Sequence, residues 1–121
     1  MSTTLGFGQI VIDCADAARL AGFWSALLER AAIDGASTYF AVIPPGPDGF
    51  PALMFLKVPE PRSGKNRMHI DLVSPDRVAE VERAVDLGAA RLGDFHEHGV
   101  QWTTLSDPED NLFDIGVPHA E

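Results

Sequence analysis

The sequence has 121 residues, with 9 Lys and Arg against 18 Asp and Glu, a formal net charge of −9. That length suffices for one buried core, and the scattered, outnumbered basic residues exclude a nucleic-acid binder, which needs clustered Lys and Arg against phosphate. No apolar run approaches the roughly 20 residues of a membrane helix, so no membrane partner is expected.

Gly8–Cys14 alternates and is β-rich, which predicts a strand. Cys14 is the sole cysteine; no internal disulfide can form, and a reducing cytoplasm is the expected location. The opening Met1-Ser2-Thr3-Thr4, lacking the pattern of a secretory signal, agrees with it. Asp16 sits where a helix N-cap belongs, ahead of strong helix formers over Ala17–Ala32. Leu20, Phe23, Trp24, Leu27 and Leu28 fall on one face of that helix, and Gly35 closes the unit. Tyr39–Ile43 and Ala52–Val58 read as strands around the turn-rich segment from Pro44 to Gly49.

Pro59–Asn66 has linker chemistry, with two prolines, a glycine and charges. The order then repeats. Met68–Val73 reads as a strand, Asp76 as a cap, and Arg77–Leu87 as a helix with Val78, Val81, Ala84 and Val85 inward and Gly88 as its stop. Strands follow at Ala90–Asp94, Val100–Leu105 and Leu112–Val117, with a turn at Ser106–Asn111. Gln9 precedes Asp16 by seven residues and His69 precedes Asp76 by seven, an offset of 60 between the two halves. Each half reads β-α-β-β at least, the pattern of an internal duplication.

These residues resemble a known family. Val11-Ile12-Asp13-Cys14-Ala15-Asp16 with Phe23-Trp24 and Leu27-Leu28 is similar to the opening of a glyoxalase-like domain. Lys65-Asn66-Arg67-Met68-His69-Ile70-Asp71-Leu72, then Leu87-Gly88-Ala89, continues the likeness. Trp102 and the run Asp107-Pro108-Glu109-Asp110-Asn111-Leu112-Phe113-Asp114 resemble its DPEGN-x-F ending, with Asp110 in place of the usual glycine. Aspartate tolerates left-handed backbone better than most residues, so the turn is expected to survive.

Membership of the vicinal oxygen chelate superfamily implies an α+β fold of two βαβββ modules forming a curved mixed sheet around a central cavity. One domain over residues 1–121 is expected, with module one at about 5–60 and module two at about 66–118. The resemblance places the inward ligand positions on Gln9, about Phe55, His69 and Asp114. It also implies a homodimer and a small-molecule ligand.

Strand alternation puts His69 with Asp71, Asp114 with Leu112 and Gly116, and Gln9 with Val11 and Asp13. The polar sets are expected to face the cavity. Gln9, His69 and Asp114 would then form a set for one divalent metal: Zn²⁺, Ni²⁺, Mn²⁺ or Fe²⁺. Phe55 turns one wall apolar, and Tyr39, Asp71 and Trp102 join it as candidate substrate-binding residues, although Trp102 also suits core packing. The activity implied is that of a metal-dependent lyase, isomerase or dioxygenase, with no catalytic residue assigned. The same residues also suit a metal-free drug or metabolite binder of the bleomycin-resistance type, with His69 simply hydrogen-bonded to Asp71 or Asp114, or an interaction domain with a filled cavity. His96-Glu97-His98 is expected at a solvated hairpin tip, and His119 in a frayed end.

Overall fold

The computed structural model describes residues 3–118, so His119 lies outside the described residues. The chain parts between Pro61 and Arg62 into two compact units. Each is an α/β layer with a mixed sheet, the α+β architecture that the resemblance implies.

In the first unit, β1 (Gln9–Cys14) leads to α1 (Ala17–Leu28), then β2 (Phe40–Ile43) and β3 (Ala52–Lys57). The sheet order is β1-β3-β2, with β1 parallel and β2 antiparallel to β3. Asp16 caps α1 as expected, its carboxylate accepting from the Arg19 N–H at 3.1 Å. Leu20, Phe23, Trp24 and Leu27 are buried, and Ile43, Leu53 and Phe55 have no exposed surface. The helix ends at Leu28 and not at Ala32. Glu29 turns left-handed (φ 55°), and the Arg30 N–H returns to the Ser25 carbonyl at 3.1 Å. Arg30 is drawn off the helix axis because its guanidinium donates to the Pro44 carbonyl and lies 4.6 Å over the Phe50 ring.

This unit is βαββ among the described residues, one strand short of the expected module. Where the extra strand would run, between α1 and β2, the Ile33 N–H to Val42 carbonyl bond of 2.9 Å stands in for it. Gly35 at φ 98° breaks any extended run there.

The second unit is βαβββ: β4 (Ile70–Val73), α2 (Arg77–Leu87), β5 (Ala90–Glu97), β6 (Val100–Ser106) and β7 (Leu112–Gly116), in the order β4-β7-β6-β5. Helix α2 has the expected bounds; Asp76 accepts from the Ala79 N–H at 3.4 Å, and Gly88 at φ 123° stops it. Thr103, Leu105, Phe113 and Ile115 are buried on the sheet face toward α2.

In this unit two bounds differ from expectation by more than one residue. Strand β4 starts at Ile70, two residues late, because the Asn66 side chain already occupies the backbone groups of Leu112 (2.9 Å from its N–H, 3.4 Å to its carbonyl). Strand β5 runs to Glu97, so His96 and Glu97 are strand residues paired with Gln101 and Val100. The hairpin tip shrinks to His98 and Gly99, at φ 52° and 75°, the two positive angles of a type I′ turn. Asp110 does adopt the left-handed backbone, at φ 68°. The Asp107 carboxylate holds that turn, accepting from the N–H groups of Glu109 and Asn111 at 2.9 and 3.0 Å.

Candidate functional site

Strands β4 and β7 run parallel with Asp71 opposite Asp114, and β6 places Thr104 opposite Asp114 on its other side. Lateral neighbours in a sheet share a face, so Asp71, Asp114 and Thr104 form one row across it. His69, two residues before Asp71, joins that face. Its Nδ1 lies 2.6 Å from Asp71 Oδ1 and 3.9 Å from Asp114 Oδ2. The Thr104 hydroxyl donates to Asp114 Oδ1 at 2.7 Å, leaving Oδ2 toward the imidazole.

The His69, Asp71 and Asp114 donor atoms all lie within 4.8 Å of one another, close enough to turn onto one ion. Side-chain exposure falls from 62% at Asp71 through 42% at His69 to 19% at Asp114, so the group is open at the Asp71 end. One imidazole nitrogen and two carboxylates suit Mn²⁺, Fe²⁺ or Zn²⁺. Of the expected metal set, His69 and Asp114 lie side by side in this unit, 3.9 Å apart. Asp71 adds a donor that the expected metal set lacked; alternation had already placed it beside His69, and the β4–β7 register supplies the missing signal.

The next row on this face carries Val73, Gly116, Trp102 and Phe95. Trp102 is half-buried, and its ring stacks on Phe95 at 5.4 Å between centroids and 18° between planes. Phe95 carries no signal of its own in the sequence; its ring lies 3.5 Å from where a Cβ on Gly93 would be, an ordinary van der Waals contact.

The remaining expected residues belong to the first unit. Gln9 opens β1 as an exposed residue, its amide 4.0 Å from Met54 Sδ. Phe55 corrects its expected role. In the β1–β3 register Gln9 pairs with Ala52 and Ile12 with Phe55, so Phe55 points to the opposite face from Gln9 and is fully buried. Met54, not Phe55, shares the face of Gln9. Tyr39 precedes β2, is 69% exposed, and has the Lys57 ammonium 5.2 Å from its ring centroid.

On the opposite face of the second sheet, Asp94 is held by Thr103 Oγ1 at 2.7 Å and by Arg91. The Thr103 hydrogen bond first, then the Arg91 guanidinium, keeps the Asp94 carboxyl below its ordinary range. Arg77 completes the network, donating to Thr103 Oγ1 at 2.5 Å. This cluster pins α2 to β5 and β6. No helix among the described residues is long and apolar enough to cross a membrane.

A model of the glyoxalase-like domain matches residues 9–116. No curated protein matches the chain. Among solved structures, a variant of the fosfomycin resistance protein FosX from Listeria monocytogenes, complexed with Mn(II) and 1S,2S-dihydroxypropylphosphonic acid, superposes with a TM-score of 0.78 at 13% identity, over 98% of this chain and 94% of that one. A glyoxalase/bleomycin resistance protein/dioxygenase family enzyme from Burkholderia phytofirmans gives 0.76 at 17% identity, over 91% and 96%. The fosfomycin resistance protein FosX from Mesorhizobium loti gives 0.74 at 12% identity, over 97% and 95%. At such identities the likeness speaks for the fold. With the family match spanning nearly all of the sequence, the chain belongs to the glyoxalase-like domain family of the vicinal oxygen chelate superfamily.

Proposed function

We propose that this protein holds a divalent cation through His69, Asp71 and Asp114 and acts as a metal-dependent lyase, isomerase or dioxygenase on a small, partly apolar, oxygenated molecule. The observation that carries this is the convergence of three donors within 4.8 Å on one face of the second sheet. A structural neighbour complexed with Mn(II) makes Mn²⁺ the first ion to test. Bound there, such an ion would supply Lewis-acid polarisation of ligand oxygens.

The protein's own groups have separable duties. Thr104 fixes the rotamer of Asp114 through Oδ1, so Oδ2 is presented to the site. Without an ion, Asp71 Oδ1 and His69 Nδ1 are hydrogen-bonded at 2.6 Å. The Trp102–Phe95 stack offers a flat apolar wall one row away, suited to the carbon skeleton of a ligand whose oxygens face the carboxylates. The reading includes a homodimer, checked by light scattering of the purified protein, and a cytoplasmic location consistent with the lone Cys14.

A metal-free binder of drugs or metabolites is the second reading, favoured by the same 2.6 Å hydrogen bond, which already satisfies His69, and by the half-exposed aromatic stack. Titration of the full chain with Mn²⁺, followed by electron paramagnetic resonance, separates the two. One site per chain, lost in His69→Ala and in Asp114→Asn, supports the metal enzyme. Absence of Mn²⁺ binding, with aromatic ligands quenching Trp102 fluorescence, favours the binder.

A further inference from the structure

We infer that Asn66 is the positioning residue that sets His69 against Asp114; this rests on the metal-site reading above. The ladder register pairs Ile70 with Phe113, so His69 stands opposite Leu112, one step outside strand β4. The paired residues of β4 begin one step after His69, and the place beside Leu112 lies outside them.

The Asn66 side chain takes that place. Its Oδ1 accepts from the Leu112 N–H at 2.9 Å, and its Nδ2 donates to the Leu112 carbonyl at 3.4 Å, a link across 46 residues. The same Nδ2 donates to the Met68 carbonyl, on the residue just before His69. A carboxamide carries a carbonyl acceptor and an NH₂ donor group on a flat frame, the kinds of group a neighbouring peptide also offers, with one N–H to spare. Asn66 therefore acts as a surrogate strand residue, tying Met68 to Leu112 and so His69 to the start of the strand that carries Asp114. The Arg62 guanidinium also donates to Asn66 Oδ1, at 3.5 Å.

Residues that orient metal ligands typically change affinity by about 10- to 100-fold when removed. Asn66→Ala is accordingly expected to weaken Mn²⁺ binding about tenfold or more. Asn66→Asp, which keeps the acceptor for the Leu112 N–H but loses both donor bonds, is expected to fall between Asn66→Ala and the wild type. A general loss of stability is controlled by Asp76→Ala, which removes the α2 cap in the same unit. That variant is expected to lower the unfolding midpoint while leaving the Mn²⁺ affinity at the wild-type value. Wild-type affinity in Asn66→Ala, or an equal loss in Asp76→Ala, overturns the positioning role.

The metal-free protein gives an independent arm. In Asn66→Ala, the Leu112 amide should exchange with solvent faster, and the His69 ring resonances should move toward those of a free histidine. Unchanged resonances overturn the inference even if Mn²⁺ binds. A wild type that binds no Mn²⁺ overturns the metal reading instead, and the resonances then decide the role of Asn66 alone.

Discussion

Asp71 and Asp114 stand directly opposite each other in the parallel β4–β7 ladder, two carboxylates on one sheet face with the His69 imidazole beside both. Like charges directly opposite on neighbouring strands destabilise a sheet, by roughly 0.2–1 kcal/mol on the scale of cross-strand pairs. The arrangement is therefore a cost to the fold that a bound cation would reverse.

Replacing one charge exposes that trade. Asp71→Asn is expected to stabilise the metal-free protein by a few tenths of a kcal/mol, up to about 1. It should also reduce the rise in unfolding temperature that Mn²⁺ produces. Thermal melts with and without Mn²⁺ measure both, and an undiminished Mn²⁺ effect would argue that Asp71 is no ligand.

Thr104→Val keeps the side-chain shape but removes the hydroxyl that donates to Asp114 Oδ1. Asp114 then loses its fixed rotamer, and Mn²⁺ affinity should fall by about tenfold. Folding stability should drop by about 1 kcal/mol, the usual worth of one such hydrogen bond. Calorimetric titration and urea unfolding give the two numbers.

The two aromatic residues of the first unit should behave oppositely. Phe55→Ala empties a fully buried position and is expected to cost about 3–5 kcal/mol. Tyr39→Ala, at an exposed position, should stay within about 0.5 kcal/mol of the wild type. Denaturant midpoints decide; near-equal effects would contradict the facing of Phe55.

Asp94 governs part of the acid limb. Its folded carboxyl titrates below the ordinary range, chiefly through the Thr103 hydroxyl and then Arg91. A depressed carboxylate contributes stability above its unfolded pKa of about 3.9 and loses it as pH falls toward the folded value. As pH falls below about 4, the wild type should therefore lose stability more steeply than Asp94→Asn. Unfolding free energies measured at several pH values across that window test this, and parallel slopes would refute it.

Local signals carried much of this protein in the sequence. Asp16 and Asp76 announce both helices because an N-cap is satisfied within three residues. The shared face of His69 and Asp71 follows from the two-residue period of a strand, and Asp110 from the turn chemistry around it. What the tertiary structure alone decided joins distant segments. Leu28 rather than Ala32 ends α1, because Arg30 finds partners in Pro44 and Phe50. Alternation divides β3 into two faces, but only its pairing with β1 turns Phe55 inward and leaves Met54 beside Gln9. The residues of the candidate site divide the same way. His69 and Asp114 were legible as members of one set, whereas the meeting of Asp71 with Asp114, and the Asn66 bridge to Leu112, depend on a register between strands some forty residues apart. That register is set by packing and hydrogen bonding across the sheet, which no contiguous stretch of sequence contains.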